Sequence, residues 1–128
     1  MMTFEHSQHI SINVSTRFLA DQSDPDSSRF AFAYTISISN SGPEAVRLVS
    51  RYWLITDGNN EQKEVHGEGV IGKQPYIASG ESFEYTSGAM LNTEVGTMEG
   101  SYQMISESGE CVDALSPRFG GSDPRTLH

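Results

Sequence analysis

The sequence has little cysteine, no long apolar run and, across a wide stretch, no basic residue. Cys111 is the only cysteine, which excludes a disulfide within the chain and a multi-cysteine zinc site. One unpaired thiol fits a reducing compartment, and its place in the short apolar run CVDAL predicts a buried, inert side chain. No segment approaches the roughly 20 apolar residues of a membrane helix. The N-terminal MMTFEHSQHISINVS has no basic segment leading into an apolar run, so no secretory signal is read there. The expectation is a soluble, cytoplasmic protein without membrane contact. Between Gln74 and Pro117 there is no Lys or Arg, against Glu81, Glu84, Glu94, Glu99, Glu107, Glu110 and Asp113, in a chain of formal net charge −9. Such a surface repels phosphate backbones, so nucleic acid is not an expected partner. The acidity is read first as a solvated face that maintains solubility, and second as an attraction for cations or a basic partner.

Helical periodicity is also missing, and period-2 alternation takes its place. Ile10, Ile12 and Val14 alternate with Ser11, Asn13 and Ser15, the pattern of a half-buried strand. In FAFAYTISIS, Phe30, Phe32, Tyr34, Ile36 and Ile38 share one parity, whereas a helix would scatter them around its axis. VRLVSRYWLIT carries apolar groups on both faces, as in a central strand. There Arg51 and Trp53 share a side, so either Arg51 snorkels outward or a bulge resets the alternation. QKEVH, SFEYTSG, VGTMEGSYQMIS and CVDAL read as further strands between Gly-, Asn- and Pro-rich turns. With no helix to cover the sheets, their faces must bury each other, giving an all-β antiparallel sandwich. A chain of 128 residues suffices for one such domain. Residues 8–119 are assigned to it, flanked by flexible ends at 1–7 and 120–128, because Gly120 and Gly121 weaken a last strand.

HGEGVIGKQP contains Gly67-x-Gly69-x-x-Gly72, the spacing of a dinucleotide-binding turn. That turn requires a buried strand before it, a helix after it and an acidic residue about 20 positions on. Here the lead-in EVH is short and polar, Pro75 and Gly80 break any following helix, and TSGAMLN at 86–92 has no acid. Lys73 is followed by Gln74, so a P-loop fails as well. The glycines are read instead as a sharp bend or a close backbone approach, with an anion-holding nest around Gly67, Glu68, Gly69 and Gly72 as the functional alternative. Glu64, His66 and Glu68 alternate and share a strand face, which makes them weak metal-ligand candidates beside the plainer reading of a solvated face. No catalytic set emerges. Cys111 would need a positioned histidine, three of the four histidines (His6, His9 and His128) lie near the termini, and no Gly-x-Ser-x-Gly elbow occurs. The chain is therefore expected to be non-enzymatic, with no cofactor. Its expected partner is an unknown protein or a second copy of itself.

RYWLITDGNNEQKEVHGEGVIGKQP and ASGESFEYTSGAMLNTEVGTMEGSYQM, with FAFAYTISISN upstream, closely resemble the ApaG family over residues 8–119. The resemblance implies a fibronectin type III or immunoglobulin-like sandwich. It also implies genetic links to cobalt resistance and magnesium efflux, and a gene beside a diadenosine tetraphosphate hydrolase. Similar domains in F-box proteins and a DNA-polymerase-delta-interacting protein look like interaction modules. The family's Gly-x-Gly-x-x-Gly motif falls on Gly67, Gly69 and Gly72 and suggests pyrophosphate. Arg51 and Trp53 also belong to the family pattern and are candidate surface residues. Family members tend to close with an apolar strand near Phe119, where this sequence has Gly120 and Gly121 instead.

Overall fold

The computed structural model describes residues 9–70, 72–116 and 118–122. Nine strands occur among them: β1 (Ile10–Phe18), β2 (Phe30–Asn40), β3 (Val46–Asp57), β4 (Gln62–Glu68), β5 (Tyr76–Ile77), β6 (Ser82–Leu91), β7 (Val95–Ser106), β8 (Cys111–Leu115) and β9 (Phe119–Ser122). Two single 3-10 turns, at 20–22 and 25–27, break the β1–β2 connection. One sheet has the order β1-β2-β6. The other runs β4-β3-β7-β8, with β5 added to β3 and β9 added to β7. All pairings between strands are antiparallel. The antiparallel sandwich expected from the alternation is present, and no helix among the described residues is long and apolar enough to cross a membrane.

Alternation sets the core directly. Along β2, Phe30, Phe32, Tyr34, Ile36 and Ile38 are buried; the last three share a core cluster with Leu48, Trp53, Tyr102 and Met104 of the opposite sheet, and Phe30 and Phe32 pack with Leu91. Trp53, 2% exposed, is the hub. Its ring meets those of Tyr34, Tyr102 and Phe119 edge-on at centroid distances of 6.2, 5.8 and 5.7 Å, the arrangement that ring quadrupoles favour. Across from it on β7 stands Gly100. A Cβ there would lie 2.0 Å from the Tyr52 carbonyl oxygen and 2.7 Å from the indole, so only glycine lets the ring lie against β7.

The last strand departs from expectation. Gly120 and Gly121 do not end the sheet; they pair with Thr97 and Gly96 of β7, and Phe119 packs into the core. A Cβ on Gly121 would stand 2.9 Å from the Phe32 ring, and one on Gly120 would stand 3.1 Å from the Gly96 carbonyl oxygen. The absent side chains are what admit the strand, an effect of tertiary contact that outweighs glycine's low strand preference. Residues 1–8 and 123–128 lie outside the described residues, so the flexible ends expected there carry no structural statement. Cys111 is a second departure, being exposed. Val112 and Ala114 take the inward positions of β8 and so turn Cys111 outward.

Apart from the Trp53 Nε1–H, buried side-chain polar atoms among the described residues have partners. Buried Asn40 donates from Nδ2 to the carbonyls of Glu44 (2.8 Å) and Ile77 (3.0 Å) and accepts from the Gly42 amide (2.9 Å), tying the β2–β3 turn to β5. Tyr85 of β6 and Tyr102 of β7 bridge the two sheets through a short hydroxyl–hydroxyl hydrogen bond. Burial pushes the Tyr85 phenol up to about 12 and moves Tyr102 upward as well.

Two predictions follow from this pair. Tyr85→Phe or Tyr102→Phe alone strands one buried hydroxyl and should lower stability by about 1–3 kcal/mol. The double Phe variant should lose less than the sum of the two, as read by urea unfolding in a double-mutant cycle. Phenols with raised folded-state values bind protons that the unfolded chain releases from about pH 10. Stability should therefore be flat below pH 10 and fall as pH rises toward 12. Phenolate absorbance from two of the five tyrosines should appear only with unfolding. Ionisation of all five in the folded protein would contradict this account.

Candidate functional site

The site begins with one extra residue. Pairing of β3 with β7 passes from Leu48↔Met104 to Ser50↔Gln103, leaving Val49 as a bulge. Before it, Val46 and Leu48 point inward; after it, Arg51, Trp53 and Ile55 do. The bulge lies ahead of both Arg51 and Trp53, so it does not separate them, and the two share the inner face. Trp53 is core rather than surface, and Arg51 is half-buried.

The Arg51 guanidinium lies across Gly67, its partner on β4. A Cβ on Gly67 would stand 2.6–2.8 Å from its terminal atoms. One terminal nitrogen, Nη1, donates to the carbonyls of Gly69 (2.6 Å) and Glu68 (3.3 Å). The same loop is strapped to the bulge. The Val49 carbonyl, freed from the ladder, accepts the Gly69 amide (2.7 Å) and the Gln74 side-chain amide (3.0 Å), and the Leu48 amide donates to the Pro75 carbonyl (3.0 Å). Val70 and Lys73 exchange two backbone hydrogen bonds across the tight turn. Gly69 has φ +60°, and a Cβ there would fall 1.8 Å from the Lys73 carbonyl oxygen. Each of these glycines therefore meets a backbone need of the sandwich. The amides of Gly69 and Val70 are already bonded, and the carbonyls beside them face a cation.

Glu64, His66 and Glu68 do share the outer face of β4, but Tyr52 comes between the first two. Its hydroxyl donates to Glu64 Oε2 (2.7 Å) and its ring lies 4.8 Å from the His66 ring. The hydrogen bond to the Glu64 carboxylate is the main reason the Tyr52 phenol sits above its ordinary value. Among the described residues no three His, Cys, Asp or Glu side chains are grouped as metal ligands.

The sandwich is closed along one side and open along the other. β1 packs on β8 and β9, and the Thr16 hydroxyl donates to the Gly120 carbonyl (3.2 Å). On the opposite side, β4 and β6 each pair with one strand only. Between these edges lies a cleft of about 520 Å3, reaching Arg51, Lys63, Trp53, Tyr85, Ala89 and Met90. Lys63 enters it because its register partner Ile55 faces inward. Trp53 and Tyr85 line the cleft together, and the Trp53 Nε1–H makes no hydrogen bond. It is the one buried side-chain polar atom among the described residues that is left without a partner. Of this cleft, the sequence pointed to Arg51 and Trp53. Lys63 was legible only through the register that the bulge imposes.

Fold and site together define a small immunoglobulin-like module with an open inter-sheet cleft. Residues 20–106 match the family model described as ApaG domain. The chain is 55% identical over 119 residues to Protein ApaG of Thiobacillus denitrificans, covering 93% of this chain and 94% of that one. It is 50% identical over 127 residues to Protein ApaG of Dechloromonas aromatica, covering 99% and 100%. The crystal structure of an ApaA-named protein from Bordetella pertussis is similar with a TM-score of 0.88 at 43% identity, covering 91% of this chain and 95% of that one. A further X-ray structure from structural genomics gives 0.90 at 41% identity, covering 95% and 92%. The chain belongs to the ApaG family.

The glycine geometry yields a ranking that thermal unfolding can check. Gly72 has positive φ with open space around it, so Gly72→Ala should cost about 1 kcal/mol. Gly67→Ala displaces the end of a flexible side chain and should cost about 1–3 kcal/mol through the lost charged hydrogen bonds. Gly69→Ala and Gly100→Ala collide with backbone and should exceed both. Equal, small effects at all four would dissolve the structural account of this motif.

Proposed function

We propose that this chain is a non-catalytic protein-recognition module that receives an extended segment of a partner along the free edge of β6. The observation that carries the reading is the asymmetry of the two open edges. β4 is guarded by charge, with Lys63, Glu64, His66 and Glu68 along its short length, a common protection against unwanted pairing. β6 is a ten-residue strand with no lysine, arginine or proline, and Thr86, Ser87, Gly88 and Ala89 present only small side chains beside the cleft. An extended segment added there gains backbone hydrogen bonds from β6 and sends alternate side chains into the cleft. The cobalt and magnesium phenotypes implied by the family resemblance would then run through the partner.

A phosphate or dinucleotide at Gly67, Gly69 and Gly72 has less support, since the Gly69 and Val70 amides are engaged. Direct cation binding at Glu64, His66 and Glu68 competes with the Tyr52–Glu64 hydrogen bond.

The test is capture from cell extract with the chain immobilised, followed by amide exchange of the purified pair. A partner that slows exchange over residues 82–91 and is lost in Ala89→Arg supports the proposal. Protection confined to other strands, with capture unchanged in Ala89→Arg, would overturn it.

A further inference from the structure

The composition of the cleft specifies what its occupant must carry. The chain has 17 acidic and 8 basic residues, yet the cleft is lined by two cations and no carboxylate. Among the described residues neither Arg51 nor Lys63 forms an ion pair. Arg51 spends only Nη1 on the glycine-loop carbonyls, so its Nε and Nη2 edge makes no hydrogen bond. A guanidinium edge with two parallel donors matches a planar carboxylate. Arg51 lines the cleft together with Tyr85, one half of the inter-sheet tyrosine bridge. Trp53 lines the same cleft, and its buried, unpartnered Nε1–H adds a third donor that the fold itself leaves unused. Lys63 also borders an adjoining groove that holds Asp57 and Glu61, so Arg51 supplies the larger share of the attraction. The rest of the lining mixes hydrocarbon, from Ile55, Val65, Ala89, Met90 and Met98, with the hydroxyl-bearing Tyr34, Tyr85, Thr86 and Ser87.

We infer that the inter-sheet cleft is a binding site for an organic carboxylate with an attached apolar group. The carboxylate rests on the free edge of Arg51 within reach of Lys63, and the apolar group lies against the methionine-lined wall. A buried donor without a partner is costly in a fold that satisfies its other buried polar groups. The hydrocarbon part of the lining gives an attached apolar group a contact that phosphate cannot use. This inference rests on the cleft being the recognition surface proposed above, and it names the chemistry of the anchor. That carboxylate has two possible sources, a free small acid or the C-terminal residue of a peptide.

The single tryptophan provides the readout, because it contributes one indole N–H resonance. The probes are 3-phenylpropionate, its amide 3-phenylpropionamide, inorganic phosphate and N-acetyl-glycyl-phenylalanine with a free C-terminus. 3-Phenylpropionate should shift the Trp53 indole resonance saturably at millimolar concentration, while the amide and phosphate leave it in place. Arg51→Gln should weaken binding about 10-fold, the scale of one charge-assisted pair. Exposed Lys63→Gln, which the fold tolerates, should weaken it about 3-fold. A peptide that binds more tightly and slows exchange in β6 identifies a C-terminal residue as the source. A peptide no tighter than the free acid, with β6 exchange unchanged, identifies a small acid.

Absence of a saturable shift, an equal shift from the amide or phosphate, or undiminished binding in Lys63→Gln and Arg51→Gln would each overturn the inference. If the probes fail while a captured partner still protects β6, the carboxylate site falls and the edge-recognition reading stands. If the probes bind and no partner protects β6, the reverse holds.

Discussion

The inserted residue Val49 is the constraint on which the rest of this sandwich depends. An alternating strand presents one parity to the core throughout, and VRLVSRYWLIT has no single parity that is apolar throughout. The bulge divides it into two strands' worth of alternation. Val46 and Leu48 fill the core before it, and Trp53 and Ile55 after it. The same step carries Arg51 inward, leaves Tyr52 and Leu54 outside and frees the Val49 carbonyl from the ladder. That carbonyl is then the anchor for Gly69 and Gln74. Core, loop and cleft are therefore consequences of one change in register, and bulges are known to re-aim side chains in this way.

Large side chains in this fold are accommodated by glycines set opposite them. Trp53 lies on Gly100, Arg51 on Gly67 and Phe32 on Gly121. In each case the glycine is defined by its cross-sheet or cross-strand neighbour rather than by the turn it belongs to. This changes the meaning of Gly67-x-Gly69-x-x-Gly72. In a dinucleotide turn the glycines clear space for a pyrophosphate in front of a helix. Here Gly67 clears space for a guanidinium belonging to the chain itself, and the loop offers it carbonyl oxygens, the electrostatic opposite of a phosphate cradle.

What was legible in the sequence follows from range. Period-2 alternation is local, so β1, β2, β7 and the all-β class are readable from it, and β3 is readable from its β-branched and aromatic run. The Arg51/Trp53 conflict was visible as a conflict, because both residues lie on one strand, but its resolution required the pairing partner. β9 was misjudged because glycine's weak strand preference is local, whereas the Phe32 ring and the Gly96 carbonyl that require it lie far away in sequence. Cys111 was misjudged because a five-residue strand with one hydrophobic parity reads as apolar until Val112 and Ala114 are seen to take both inward places. The Tyr85–Tyr102 bridge joins residues on different strands and sheets, and no spacing rule reports it.

The open side of the sandwich has its own physical logic. On the closed side β9 supplies Phe119 to the core and its backbone to Thr16, so the two sheets meet there. On the other side no strand follows β4 to meet β6. Closing that gap with hydrocarbon would require burying Arg51, whose charge cannot be left without compensation in an apolar interior. The cation that stabilises the glycine loop is thus also what holds the cleft open. A protein selected only for stability would gain by replacing Arg51 with an apolar residue and filling the space, since a well-packed hydrophobic substitute commonly equals or exceeds a buried charge in stability. Retaining a half-satisfied guanidinium beside an unpartnered indole N–H makes sense if a ligand completes both, and that is the physical ground for locating recognition in this cleft rather than in the glycine motif that first draws the eye.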